Sequence, residues 1–185
     1  MILDGLLQFC GTSNGATGGI TSGANTDAPT TGTQVASNIL DLGITNGIPT
    51  SANGGGARDM GIGDDPMLKL LVQVTTAFAD GTSLQVILSG APDNGSGAPG
   101  AYTTMYTSEA VLEASLIPGA YIANVDVPRT VPGQPLPRFL RLQFVTVGTH
   151  TAGTVQGTIV LDRFDQIVGT TGALSGYPAG INVAN

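Results

Sequence analysis

Residues 67–78 read Met-Leu-Lys-Leu-Leu-Val-Gln-Val-Thr-Thr-Ala-Phe. Leu68, Leu70, Val72, Val74, Thr76 and Phe78 occupy one set of alternate positions, and Lys69, Leu71, Gln73, Thr75 and Ala77 the other. Side chains alternate across a strand, so this stretch predicts one buried face and one mostly solvated face. Asp80-Gly81 follows, and beyond it Leu84, Val86 and Leu88 alternate with Ser83, Gln85 and Ser89. Asp and Gly both tolerate the positive φ of a tight turn, so the spacing predicts a hairpin closing at Asp80-Gly81.

The same period continues toward the carboxy terminus. Leu140, Leu142 and Phe144 alternate with Arg141 and Gln143, and Val155, Gly157, Ile159 and Leu161 with Thr154, Gln156 and Thr158. Ile2–Phe9, Ala36–Leu42, Tyr102–Ser108 and Tyr121–Val127 are weaker candidates of the same kind, for about eight antiparallel strands in all. The breakers in Pro92–Gly100 and Val131–Pro137 make those stretches surface loops. Short strands with turn-rich connections build sandwiches and barrels, so the fold class is all-β.

Composition agrees. The chain has 185 residues and a net charge of −7, which suits one acidic domain, residues 1–185. Gly (28) and Pro (11) together are about a fifth of the chain and break helices. Hydrophobics at 41% against charged residues at 10% exclude a disordered composition overall. Gly11–Thr33 and Ile44–Gly56 are low-complexity insertions without apolar periodicity, expected to be disordered in the isolated chain, and Ile167–Asn185 forms a similar carboxy-terminal arm.

Several partners are excluded on charge and length. The six basic residues (Arg58, Lys69, Arg129, Arg138, Arg141, Arg163) are scattered, so no run of them can neutralise a line of phosphates. Nucleic acid is therefore not an expected partner. Nor is a membrane, since no apolar stretch reaches the roughly 18–20 residues that span a bilayer. Met1-Ile2-Leu3-Asp4 lacks the basic start of a secretion signal, so the chain is expected to be soluble and not exported. Cys10 is the single cysteine, which rules out an internal disulfide and fits synthesis in a reducing cytoplasm.

Chemistry-bearing residues are few. His150 is the only histidine and lies in Gly148-Thr149-His150-Thr151-Ala152-Gly153, a turn composition in which it reads as a solvated loop residue. Asp59, Asp64 and Asp65 offer hard-cation oxygens, but not at EF-hand spacing, and read as a solvated acidic loop. Gly54-Gly55-Gly56 has no P-loop lysine. Gly95-Ser96-Gly97 is not a nucleophile elbow, and Asn94-Gly95-Ser96 matches a glycosylation acceptor without the secretory context that would use it. No catalytic, cofactor or metal residue is assigned, and no enzyme activity is expected. With no Trp and its Phe mostly at core-phase positions, the chain also lacks the flat aromatic faces common in sugar-binding modules. Tyr102 and Tyr106 share a phase of one strand and could form an exposed pair, although a hydrophobic face or a subunit interface is the preferred reading. Arg138 and Arg141 either pair with acidic groups or a partner, or sit on a solvated sheet face.

Taken in order, Met1-Ile2-Leu3-Asp4, Asn38-Ile39-Leu40-Asp41-Leu42-Gly43, and Ala57-Arg58-Asp59-Met60-Gly61-Ile62-Gly63 leading into Leu70-Leu71-Val72-Gln73-Val74-Thr75 resemble the capsid cement (decoration) proteins of certain short-tailed bacteriophages. Arg138-Phe139-Leu140-Arg141-Leu142, Thr151-Ala152-Gly153-Thr154-Val155 and Val160-Leu161-Asp162 resemble that family's closing strands. The insertions near 11–33 and 44–56 are extra length relative to compact members, and a Gly/Pro-rich loop replaces the family's acidic turn in Ser89–Gly100. The resemblance implies a jelly-roll-like β-sandwich on the outer surface of a virion, made in the bacterial host cytoplasm. Its partner would be the phage major capsid protein, whose neighbouring copies it clamps in the expanded, DNA-filled head. It would also partner itself as a homo-oligomer, with a dimer favoured and a trimer the alternative. The competing expectation is a carbohydrate- or host-binding module of the virion surface.

Overall fold

A computed structural model describes residues 7–11, 20–23, 25–42, 68–128 and 137–161. Those residues are all-β, with eight antiparallel strands and a short 3-10 turn at Glu113–Ser115. The strands are β1 (Thr21–Ser22), β2 (Asp27–Ala28), β3 (Thr31–Asp41), β4 (Leu68–Ala91), β5 (Thr103–Thr107), β6 (Val111–Leu112), β7 (Tyr121–Asp126) and β8 (Phe139–Leu161).

The backbone of the fold is one long ribbon. β4 pairs with β8 from Leu68↔Leu161 at one end to Ala91↔Phe139 at the other. Asp80-Gly81 therefore does not reverse the chain, as the sequence predicts; it lies inside a continuous 24-residue strand. What the turn chemistry foretells correctly is the dihedral, since Asp80 has φ of 66°. On β8 the facing segment carries Gly148 (φ 79°) and Gly153 (φ 124°). The register shifts four times between Val74 and Ser83. Extra residues in a ladder bend the strand and raise its twist, so these paired irregularities fold the ribbon over on itself.

Each half of the ribbon gathers its own neighbours. In the first, β7 lies beside β4, from Lys69↔Asp126 to Gln73↔Tyr121, while β2 meets β8 at Asp27↔Val155 and Gln8 bridges to Thr158. In the second, β3 pairs with β8 from Thr31↔Thr149 to Asp41↔Phe139, and β5 and β6 pair with β4. We call these the β7 half and the β3 half.

Folding the ribbon puts the two inner faces together as a β-sandwich-like core. Leu70, Val72, Val74, Val155 and Ile159 of the β7 half share one buried cluster with Leu84, Val86, Leu88, Leu140, Leu142 and Phe144 of the β3 half. Gly157 shows how closely the halves approach: a Cβ there would lie 2.8 Å from Leu142 Cδ2. Each fully buried Val, Leu or Phe contributes about 1.5–3 kcal/mol relative to exposure.

One edge is stapled by polar groups. β3 slips register between Val35 and Ile39, and the intervening Ala36, Ser37 and Asn38 are buried. Asn38 N–H donates to Phe9 O at 2.8 Å, while Phe9 N–H donates to Gly157 O at 2.8 Å. Asp27, itself fully buried, accepts from Ser37 N–H (2.8 Å), from the Ser37 hydroxyl and from Gly11 N–H (3.1 Å). A buried carboxylate is tolerable only when donors surround it in this way. The disorder expected for 11–33 is thus not found in its described part, residues 11, 20–23 and 25–33, because Asp27 ties that part into the sheet. The insertion 44–56 and the arm 167–185 lie outside the described residues, as does most of Ile2–Phe9.

Candidate interaction surface

The one histidine is not a loop residue. His150 lies on β8, 2% exposed, with its imidazole over Gly81 and edge to face with Phe78. Its backbone N–H donates to Thr30 O at 2.8 Å, Nε2 lies 3.4 Å from Ser83 O, and Nδ1 has no partner. The turn-like glycines around it serve the bend, so composition misplaced the side chain. Beside it the Thr151 hydroxyl donates to Asp80. Cys10 is fully buried, and burial first, then the Asp27 charge, pushes its thiol well above the usual range. Among the described residues no group of three or more His, Cys, Asp or Glu is placed to hold a metal. Asp59, Asp64, Asp65 and Gly54-Gly55-Gly56 lie outside them.

The Pro92–Gly100 loop is a compact turn. Asp93 Oδ1 accepts from Gly95 N–H (2.7 Å) and Gly97 N–H (3.0 Å), both glycines having positive φ. Asn94 Oδ1 accepts from Ser96 N–H (2.9 Å) and the Ser96 hydroxyl (2.7 Å), so this pair closes a local Asx turn. Those two backbone bonds hold the Asp93 carboxyl below its usual range, and Arg138 adds to the effect. Arg138 also grips Asp41 with Nε (2.8 Å) and Nη2 (3.0 Å), raising its own pKa, chiefly through that hydrogen bonding. Of the two sequence alternatives for Arg138, pairing with acidic groups is the one found. It locks the loop to the β3–β8 end.

The outward faces of the two halves differ. On the β7 half, Lys69 ion-pairs with Asp126 at 2.5 Å, Gln73 stands opposite Gln156, and the hydroxyls of Thr75 and Thr154 are 2.7 Å apart. Its apolar members Leu71 and Val160 are buried. On the β3 half, residues paired across strands share a face, which gives the outward rows Ile39–Arg141–Ser89–Thr104, Val35–Gln143–Ile87–Thr107, Thr33–Val145–Gln85 and Val147–Ser83–Leu112. Val35, Ile39, Ile87 and Val145 are half-buried there, while Val147 and Leu112 are 54% and 64% exposed. Six apolar side chains thus stand on this outward face among eight polar ones, and two of the six are exposed. Tyr121, paired with Gln73, is exposed on the outward face of the β7 half, and Ile117 is exposed in the segment before it, which is held to β4 by Phe78 N–H to Leu116 O (3.0 Å) and Val74 N–H to Ala120 O (2.9 Å).

One charge stands in these rows. The Arg141 guanidinium lies 3.8 Å from the centre of the Tyr102 ring, and Nη2 donates to Gln143 Oε1 at 3.1 Å. Arg141 Nε and the Tyr102 hydroxyl are buried without hydrogen-bond partners. Burial raises the Tyr102 pKa against the lowering effect of Arg141. Tyr106, which shares Tyr102's phase in the sequence, faces the other way: a register shift between Leu88 and Ser89 turns it opposite Leu88 and onto the core. The two tyrosines are therefore not an exposed pair.

Sequence reasoning took Arg141 and Gln143 as polar markers of a solvated face and overlooked Val145 and Val147 on the same phase. The available signal was that Phe144-Val145-Thr146-Val147 no longer alternates apolar with polar. A family model described as Bbp16 matches residues 16–159. No curated protein matches the chain.

Proposed function

The chain belongs to the Bbp16 family, and we propose that it is a structural virion protein, a capsid cement protein that binds the outer surface of a phage head and clamps neighbouring major capsid protein subunits. The observation that carries this reading is the outward face of the β3 half. Val35, Ile39, Ile87, Val145, Val147 and Leu112 stand there among Ser, Thr and Gln with a single cation, whereas the outward face of the β7 half carries the Lys69–Asp126 ion pair, the Thr75–Thr154 hydroxyls and one exposed aromatic, Tyr121. Apolar side chains left exposed or half-buried on one sheet face support a protein-binding surface there. The sequence resemblance supplies the kind of partner.

The mechanism follows from mechanics and mass action. A shell filled with DNA opens first at the seams between capsomers, and a clamp across a seam adds contacts that must break before the seam parts. Two heads joined in a homo-oligomer attach to separate subunits, so the second attachment is intramolecular and modest contacts sum to firm retention. Dimeric clamps are the first choice and trimeric ones the alternative. Each stable contact would bury roughly 1,200–2,000 Å² in total. A site present only after expansion makes the protein a late-binding stabiliser through differential affinity.

Sedimentation with purified heads tests this. The protein should be retained on expanded heads, leave precursor heads largely bare, and raise the temperature at which expanded heads release DNA. Retention on neither, or binding to glycans with no head present, would remove the proposal.

A further inference from the structure

We propose that Arg141 is the charged anchor of this surface and that it takes a carboxylate side chain of the shell protein, an inference that rests on the cement reading above. The three described cations differ in how they are paired. Lys69 is held by Asp126, and Arg138 by Asp41 and Asp93. Arg141 has no carboxylate partner among the described residues, in a chain whose net charge is −7.

Its geometry suits in-plane pairing. Stacking on Tyr102 uses the face of the guanidinium and leaves its edges as donors, the arrangement in which arginine meets a planar carboxylate with two parallel bonds. Only Nη2 is engaged, on the neutral Gln143 amide. The free protein also leaves Arg141 Nε and the Tyr102 hydroxyl buried and unpaired, which is unfavourable. Turning the guanidinium edge toward an incoming carboxylate therefore gives up little. Ile39 pairs directly with Arg141, and Val35 and Ile87 flank Gln143 in the next row; once a partner covers them the pair forms in a water-poor environment where charge attraction is stronger.

Charge also identifies the occupant. A two-fold contact between copies of this chain centred here would set Arg141 against its own copy, like charge on like charge. A different protein presenting Asp or Glu is complementary. The oligomer contact of the clamp then lies elsewhere on the molecule, leaving this face to the shell.

The test uses heads purified from particles lacking this protein and the full chain carrying Arg141→Gln, Arg141→Glu, Arg141→Lys or Tyr102→Phe, compared by sedimentation at low and high salt. Arg141→Gln should weaken retention by about tenfold or more, and Arg141→Glu should abolish it. Arg141→Lys, which keeps the charge and stem, should keep only part of the affinity. A thermal melt of each variant separates lost binding from lost fold, and a shell Asp or Glu changed to Arg should rescue Arg141→Glu. Wild-type retention with Arg141→Gln and Arg141→Lys bound equally well would overturn this site and leave the cement reading standing. Failure of the wild type to bind any head would remove both. A wild-type dimer that Arg141→Gln converts to monomer would assign the face to a second copy and also overturn the inference.

Discussion

Phe78 and His150 meet edge to face, ring centres 5.0 Å apart and planes at 80°, and each covers a glycine on the other's strand. His150 of β8 lies over Gly81 of β4, and Phe78 of β4 lies over Gly153 of β8. The bend of the ribbon is thus a reciprocal lock, in which a missing side chain on each strand makes room for a ring from the other. Aromatic cover of strand glycines also restores packing that glycine alone lacks.

This lock predicts that Gly81→Ala and Gly153→Ala are both destabilising. A Cβ at Gly81 would sit 2.0–2.5 Å from three imidazole atoms, and one at Gly153 would sit 2.4–2.7 Å from the Phe78 ring. Neither ring is a flexible chain end, so the backbone must move. Overpacking of this kind costs about 1–3 kcal/mol. Gly153, at φ 124°, adds backbone strain and should be the worse of the two. Thermal or denaturant unfolding of the two variants checks both the sign and the order.

The same bend marks what local sequence can and cannot tell. Alternation places Leu70, Val72, Leu84, Val86, Leu142 and Ile159 in the core, because period 2 depends only on one strand and its two faces, but it fails at Thr76, which shares their phase and is exposed where the register slips on either side of it. Asp80-Gly81 was different. Turn propensity reports that a positive φ is available, and a hairpin and a bulged bend use it alike. What separates them is the partner: here both runs flanking Asp80 pair with β8, a long-range fact that no dipeptide encodes. Tyr102 and Tyr106 went astray for a related reason, since one bulge in β5's pairing exchanges the faces. The outward rows of the β3 half were legible only after β3, β4 and β8 were in register.

Asp27→Ala should destabilise the protein by about 3 kcal/mol. The change strands Ser37 N–H, the Ser37 hydroxyl and Gly11 N–H around a buried hole, and unmet buried donors cost about 1–3 kcal/mol each, with partial relaxation. Asp27→Asn keeps an acceptor and should cost less. Because Asp27 also pairs with Val155, hydrogen exchange should rise locally, at Ser37 and Gly11, before the core strands open.

Cys10 reports on the same edge. It is fully buried and its thiol is pushed well above the ordinary range, so the native thiolate is scarce and inaccessible. Labelling by iodoacetamide at neutral pH should be at least about 100-fold slower than in denaturant. Asp27→Ala should speed it by loosening the contact between residues 7–11 and β3. Prompt labelling of native wild type would contradict the burial of Phe9 and Cys10.

Acid should loosen the Pro92–Gly100 turn through Asp93. Its folded-state pKa lies below the ordinary aspartate value, so the unfolded chain binds the proton more readily. The contribution is therefore fully present above about pH 4 and is lost as pH falls through the lower folded value. Asp93→Asn should flatten that segment of the stability–pH curve and leave the neutral-pH end little changed, as expected of an exposed carboxylate. Steeper acid sensitivity in the variant than in wild type would reverse the assignment.

Leu112 and Val147 separate adhesion from stability. Both side chains are largely exposed and flank buried Ser83 on one row of the β3 half, so Leu112→Ser and Val147→Thr should change stability by no more than about 0.5 kcal/mol. A surface that binds by burying them loses their transfer energy, about 25 cal/mol per Å² withheld from contact. For a side chain of this size that is roughly 1–2 kcal/mol, or about tenfold in affinity. Retention on expanded heads, measured beside thermal melts of the free protein, should fall for the double variant while the melting temperature holds. Equal loss of both would mean that these residues support the fold, and unchanged retention would place the adhesive surface elsewhere on the sandwich.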